Sequence, residues 1–290
     1  MTAAWKVWIL AARPKTLPAA VVPVWSGCLL AFSLTGMFSL RLAVITMLGA
    51  IFIQIATNFF NDVIDAEKGT DTALRLGPKR AAASGLLSSR ALYAGACFML
   101  LQAVVCGIFL FVARGWPVLA IGIPSLYLSY GYTGGPFPLA YRGLGEVFVI
   151  LFFGLVAVSG TIFMQTGGWP VEGLVLGLQI GCLSAVLIAV NNYRDLEEDR
   201  AAGKRTLVVR WGRRPVAFLI YGMTVLPVLL TPLAGGGMCW FLGALVLALV
   251  FLLLEFSLLK KGKVAPALLG LSALHLVLFV VVQNVCLPLT

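Results

Sequence analysis

Charge is absent from most of this chain. Uncharged runs cover residues 16–40, 42–61, 91–113, 115–141, 147–171, 173–193, 215–254 and 264–290. Each is long enough to supply the roughly 18 or more apolar residues that mark a candidate membrane-crossing helix. The run 215–254 is about twice as long as one crossing needs, and the turn-forming TPLAGGGMC at 231–239 interrupts it near the middle. The pattern therefore predicts an all-α, polytopic membrane protein of nine transmembrane helices. A single domain spans 1–290, with segments 66–90, 133–142 and 194–214 capping one end.

Composition agrees with that solvent. With 61% hydrophobic residues, 11% charged residues and a mean hydropathy of +1.02, the chain is too apolar for an ordinary soluble domain. Nine alternating spans with an internal N-terminus put 19 of the 21 Lys and Arg residues on one side, leaving only Arg41 and Arg114 opposite. Such asymmetry marks the cytoplasmic side. The net charge of +10 is thus mainly a topology signal; it needs no nucleic acid to explain it, and it would also attract anionic lipid or an anionic substrate. Pro14, Pro18 and Pro23 interrupt the first apolar region, so a retained first span is expected rather than a cleaved leader. Trp5, Trp8 and Ala12 share one helical side, as in a segment lying along the interface. The six cysteines are scattered without a CxxC pair and are expected to be small packing residues.

The acids carry the chemistry. Of eleven, eight lie in two stretches: Asp62, Asp65, Glu67 and Asp71, then Asp195, Glu197, Glu198 and Asp199. An N-x-x-x-D pattern, Asn58/Asp62, recurs 133 residues later as Asn191/Asp195, each at the cytoplasmic end of a span. Helical spacing puts Asn58, Asp62 and Asp65 on one face, and Asn191, Asp195 and Asp199 on another. Amide and carboxylate oxygens without His or Cys suit a hard cation such as Mg²⁺, which would also relieve the repulsion between crowded carboxylates. The plainer alternative is a pair of hydrophilic loops ending two helices, but matched position and spacing argue against it.

A basic, glycine-containing segment follows each acidic one: RLGPKRAAASG at 75–85 and GKRTLVVRWGRR at 203–214. Carboxylates beside cations describe a diphosphate site, with Arg75, Lys79, Arg80, Lys204 and Arg205 as donors; the positive-inside rule is the competing explanation of these bases. A third segment, YGYTGGPFPLAYRGLGE at 130–146, brings Tyr130, Tyr132, Phe137 and Tyr141 to the same side. Aromatic faces can stabilise a carbocation by about 2 kcal/mol or more when desolvated, or form an interfacial belt. Glu146 could be a further wall acid or an acid at a helix start.

With these residues in hand, the chain resembles the UbiA superfamily of intramembrane prenyltransferases, which have nine helices and two Asp-rich motifs. WILAARPKTLPAAVVPV at 8–24, NDVIDAEKGTD at 61–71, the segments at 75–85 and 132–154, and NNYRDLEEDRAAGKRTL at 191–207 are similar, more narrowly, to the 1,4-dihydroxy-2-naphthoate polyprenyltransferases of menaquinone synthesis. The resemblance runs to about residue 214. Ala66 stands where the general pattern has a third acid, and Asp65 and Asp71 are the nearest substitutes.

The resemblance implies Mg²⁺ held by Asn58, Asp62, Asn191, Asp195 and Asp199, binding the diphosphate of a polyprenyl donor whose tail lies in lipid. It implies transfer to the naphthoate ring with loss of CO₂, giving demethylmenaquinone, in a bacterial-type cytoplasmic membrane with the active site facing the cytoplasm. Asp62, Asp195, Lys204, Tyr130 and Tyr132 would be catalytic. Lys204 and Arg205 would hold the diphosphate or the acceptor's carboxylate, with Arg142 a second candidate for the acceptor. Other aromatic acceptors, such as 4-hydroxybenzoate or homogentisate, would use similar chemistry. A secondary transporter is the alternative from another class, with His275 a conceivable proton relay, although its site would be expected near the bilayer midplane. A lipid-headgroup transferase would need a D-G-x-x-A-R motif, which is lacking.

Overall fold

The structure is a computed structural model and describes residues 4–69, 80–260 and 266–287. It is helical, with no strand among the described residues. In order, the helices are α1 (Ala4–Ala12), α2 (Pro18–Thr35), α3 (Leu40–Glu67), α4 (Ser89–Arg114) and α5 (Trp116–Gly131). Next, α6 (Gly145–Val149) runs through π-helical turns (Ile150–Val156) into α7 (Ala157–Thr166). There follow α8 (Val171–Arg194), α9 (Leu196–Ala201), α10 (Leu207–Trp211), α11 (Arg213–Leu230), α12 (Met238–Lys260) and α13 (Pro266–Cys286).

Sequence chemistry explains the breaks. Arg13 adopts a left-handed backbone (φ 51) directly before Pro14, separating α1 from α2. Ser39 and Ser88 cap α3 and α4 by accepting from the amides of Leu42 and Ala91. Gly36 and Gly167 close α2 and α7 in left-handed conformation. The long run 215–254 does split as expected: α11 ends at Leu230, a 3₁₀ turn covers Thr231–Ala234, and α12 begins at Met238.

Eight helices are long and apolar enough to cross a membrane, with α6, the π turns and α7 counted as one from Gly145 to Thr166. The ninth expected span falls on α5, which has 16 residues. At 1.5 Å per residue it is about 24 Å long, short of a hydrocarbon core of about 30 Å. It stops at Gly131 rather than running to 141 because Gly134, Gly135, Pro136 and Pro138 follow. Gly135 takes φ +71, and each proline lacks a helical N–H.

Helix α8 is the axis of the bundle, buried along most of its length. Its Leu176, Ile180 and Leu183 join Trp240 of α12 and Phe279 of α13 in the largest apolar cluster. Glycines let the π turns press on α8: a Cβ at Gly154 would stand 2.3 Å from the Gly177 carbonyl oxygen and 2.6 Å from Gly181 Cα. A second cluster joins α1, α3 and α4 through Val7, Ala11, Phe59 and Leu92. Trp8 stacks edge-on against Phe59 with centroids 5.4 Å apart, so the amphipathic α1 is packed on the bundle.

The ends of α3 and α8, the 132–144 loop, α9 and α10 form one polar rim. The capping segments expected at 66–90 and 194–214 are partly helical, since α3, α4, α8, α9, α10 and α11 all enter them. At the opposite rim Cys239, opening α12, is disulfide-bonded to Cys286, closing α13, with Cα atoms 5.5 Å apart. This corrects the expectation that every cysteine is a packing residue; Cys28, Cys106 and Cys182 are buried free thiols and Cys97 an exposed one.

Candidate active site

The last turns of α3 present Asn58, Asp62 and Asp65 on one buried face, as the helical spacing predicts. Asn58 ties the start of the chain to this helix. Its amide donates to the Ala12 carbonyl (2.8 Å) and Thr16 Oγ1 (3.1 Å), and its oxygen accepts from Gln54 (3.3 Å). Asp62, only 1% exposed, accepts from the backbone amides of Ala81 (3.1 Å) and Ala82 (3.2 Å), one on each oxygen. Asp62 thus anchors the chain as it enters α4.

Asp65 is the junction of the site. Its Oδ2 meets Arg80 Nη2 at 3.3 Å, and its Oδ1 accepts from the Tyr141 hydroxyl (2.8 Å) and lies 3.3 Å from Lys204 Nζ. Lys204 Nζ also lies 3.9 Å from Asp199 Oδ1. One ammonium therefore bridges an acid of the first motif and an acid of the second. The ring of Tyr141 lies under two lysines, 4.0 Å from Lys68 Nζ and 5.0 Å from Lys204 Nζ. Lys68 Nζ also donates to the Thr133 carbonyl (2.8 Å), and the Thr133 hydroxyl donates to Asn61.

The second motif departs from a single helical face. Helix α8 ends at Arg194, and Asp195 (φ −90, ψ 16) links it to α9. Amide bonds from Asp195 to Asn191 O (3.0 Å) and from Asp199 to Asp195 O (2.8 Å) continue through the break, so the chain bends without losing its helical rise. Arg194 chelates Asp195, with Nε to Oδ1 at 2.5 Å and Nη2 to Oδ2 at 2.7 Å. Asn191 is half-buried in the last turn of α8. Its neighbour Asn192 donates to Glu146 Oε1 at 2.9 Å, joining α6 to the second motif.

Burial shapes the titration of the rim. It raises the Asp199 carboxyl to about 6, against the opposing pull of Lys204 and with help from Asp195 and Asp65. It lowers the Lys68 ammonium, with Asp65 opposing. It also pushes the Tyr132 phenol upward, assisted by Glu146, Asp65 and Asp199.

An apolar cavity of about 480 Å³ begins one turn below Asn58. Gln54, Thr57 and Tyr132 line its polar end, and Leu110, Phe163 and Met164 the other. Of the two tyrosines expected to face a cation, Tyr132 lines this cavity, whereas Tyr130 packs edge-on against Phe60 (5.4 Å). Among the expected basic residues, Arg80 and Lys204 meet the carboxylates. Arg142 is exposed and stacks on Phe137 at 3.8 Å. Arg205 is exposed, and its backbone N–H donates to the Tyr141 carbonyl (2.9 Å). Asp71, Arg75 and Lys79 lie outside the described residues.

Sequence reasoning missed Lys68, Arg194 and the bridging role of Tyr141. Lys68 and Arg194 adjoin the acidic motifs, so adjacency was the available signal. The site itself is all-oxygen in its acids and amides, and no cluster of three or more acids, His or Cys is close enough to hold a metal unaided among the described residues.

Residues 20–279 match the UbiA prenyltransferase family. The chain is 35% identical over 214 residues to the 1,4-dihydroxy-2-naphthoate octaprenyltransferase of Haemophilus influenzae, covering 71% of this chain and 70% of that protein. It is 37% identical over 205 residues to the protein of the same name from Mycobacterium leprae, covering 71% and 69%. Among solved structures, a UbiA homolog from Archaeoglobus fulgidus bound to GPP and Mg²⁺ aligns with a TM-score of 0.67 at 17% identity over 95% of this chain and 99% of that one. The apo UbiA homolog from Aeropyrum pernix aligns with a TM-score of 0.70 at 16% identity, over 94% and 98%. With its eight apolar helices and a family match over most of its length, the chain is an integral membrane protein that belongs to the UbiA prenyltransferase family.

Proposed function

We propose that this protein transfers a polyprenyl group from its diphosphate to 1,4-dihydroxy-2-naphthoate with loss of CO₂, using Mg²⁺, at the cytoplasmic side of the membrane. Membership of a prenyltransferase family sets aside the transporter alternative. The relatives named as naphthoate octaprenyltransferases support the acceptor, and the solved homolog bound to GPP and Mg²⁺ supports the donor class and the metal. The 19-to-2 distribution of Lys and Arg supports the orientation.

The observation that carries the reading is the bridge Asp65–Lys204–Asp199, with distances of 3.3 and 3.9 Å, at the rim above an apolar cavity of about 480 Å³. Acids of the two motifs already converge on one cation, and their donor set is hard oxygen, so the residues fit a divalent ion. Asn58, Asp62, Asp65, Asn191, Asp195 and Asp199 would hold it, with Asp71 a further candidate. Bound Mg²⁺ would supply neutralisation of charge on the departing diphosphate.

The protein's own groups do the rest. Arg80, Lys68 and Lys204 provide N–H donors to phosphate oxygens, and Arg205 extends the positive rim; Arg75 and Lys79 are further candidate donors from the sequence alone. The apolar cavity holds the isoprenoid and keeps water from the allylic cation. Tyr132, which lines the cavity, would turn its face toward that charge. The ring carbon bearing the carboxylate forms the new C–C bond, and the electrons of the breaking C–CO₂ bond return to the ring. Arg142 and Arg205 are exposed candidates for steering the acceptor's carboxylate to the rim.

The test is to incubate detergent-solubilised protein with Mg²⁺, a polyprenyl diphosphate and a panel of aromatic acids. The expected result is a prenylated naphthoquinol with stoichiometric CO₂, abolished by EDTA. Preferred turnover of 4-hydroxybenzoate without CO₂ release would overturn the acceptor assignment.

A further inference from the structure

Every described carboxylate of the two motifs is engaged by the protein itself. Asp62 holds the amides of Ala81 and Ala82, Asp195 is chelated by Arg194, and Asp65 meets Arg80 and Tyr141. Among the described residues the two motifs meet at the shared Lys204 ammonium, 3.3 Å from Asp65 and 3.9 Å from Asp199. Lys204 is held there by more than charge. It follows Gly203 (φ +70), its amide donates to the Asp199 carbonyl (2.9 Å), and its head lies 5.0 Å from the Tyr141 ring.

We propose that Lys204 is a placeholder cation: its ammonium occupies the space between Asp65 and Asp199 in the resting protein and is released to the donor's diphosphate when the divalent ion arrives. The inference rests on the metal–diphosphate reading above. Two carboxylates close to one another repel, and a resident ammonium removes that cost without a metal. A divalent ion arriving alone must displace the ammonium into water. A divalent ion arriving with a diphosphate gives the ammonium a new anionic partner. The placeholder therefore couples the two ligands and keeps the empty site from trapping metal. Its range is short, since Lys204 has only to turn from carboxylate to phosphate oxygens at the same rim.

The coupling makes opposite predictions for the two ligands, which a merely structural role would not. Mn²⁺ and geranyl diphosphate serve as probes, with binding measured separately by calorimetry on detergent-solubilised full-length protein without acceptor. Lys204→Met is expected to bind Mn²⁺ alone at least tenfold more tightly than the natural protein, and geranyl diphosphate, at fixed Mn²⁺, at least tenfold more weakly. Lys204→Arg, which keeps the charge, should retain the weak Mn²⁺ binding. A misfolded variant cannot bind metal more tightly, so the expected gain is its own control for folding. Unchanged or weakened Mn²⁺ binding by Lys204→Met overturns the placeholder, while loss of Mn²⁺ binding in Asp65→Asn and Asp199→Asn would leave the metal site standing. Mn²⁺ binding indifferent to both Asp substitutions would overturn the metal reading and the placeholder with it.

Discussion

The Tyr141 hydroxyl donates to Asp65 Oδ1 at 2.8 Å while its ring supports Lys68 at 4.0 Å, so one side chain fastens the 132–144 loop to the end of α3. Tyr141→Phe keeps the ring and loses a hydrogen bond to a charged acceptor, worth about 1.5–3 kcal/mol. Expected is a fall in kcat of roughly tenfold, equivalent to about 1.4 kcal/mol in the barrier, together with a thermal midpoint lower by a few degrees. Tyr141→Ala also removes the face beneath both lysines and should cost more, as steady-state kinetics on the two variants will measure.

Asp62 and Asp199 should separate stability from activity. Asp62→Ala strips the acceptor from two backbone amides, at about 1–3 kcal/mol for each buried one, and should lower both melting temperature and turnover. Asp62→Asn restores one acceptor oxygen, so stability should partly recover while activity stays low. Asp199→Asn should lose activity without losing stability, because burial already disfavours its charged form. Differential scanning fluorimetry beside activity assays makes the comparison.

The raised Asp199 carboxyl gives a sign to the pH dependence. Its folded value, about 6, lies above the ordinary 3.8, so the folded state binds the proton more readily than the unfolded one. Between those values this group makes the metal-free protein less stable as pH rises. A divalent ion favours the ionised form, so Mg²⁺ should raise the melting temperature more at pH 7.5 than at pH 5. Equal Mg²⁺ shifts across that range would contradict the placement of Asp199 beside the ion.

Close helix packing supplies a fourth test. A methyl group at Gly154 would meet backbone atoms of Gly177 and Gly181 at 2.3 and 2.6 Å, atoms that cannot turn aside. Gly154→Ala should therefore cost about 1–3 kcal/mol or more from overpacking and reduce the yield of folded protein. Gly107→Ala in α4, with open space around its Cβ, is the control and should be neutral or slightly stabilising through helix propensity. Thermal aggregation in detergent distinguishes them.

The gaps between charges revealed the long helices, because lipid tolerates so few ionised groups that every span leaves a blank in the sequence. The acids of the two motifs stood out for the same reason, and the structure brings Asp65 of one and Asp199 of the other to the same Lys204 ammonium. Direction was less legible. Arg142 and Arg205 fall on the acidic side as the positive-inside asymmetry requires, but that rule does not aim a side chain, and Arg142 instead stacks on Phe137. Tyr141 and Asp65 are 76 residues apart, and no local pattern encodes such a meeting. The short α5 was hidden because glycine and proline interrupt a helix without interrupting an uncharged run. The bend at Asp195 was hidden because its hydrogen bonds continue through it.

The Cys239–Cys286 bond closes the rim farthest from the acids. Cystine endures where glutathione and thioredoxin are kept out, whereas the proposed acceptor, a soluble aromatic acid, would be met on the reducing side. A bundle carrying both is therefore a compass: alkylation of these sulfurs only after reduction, by a reagent confined to the outer space, would read which way the needle points.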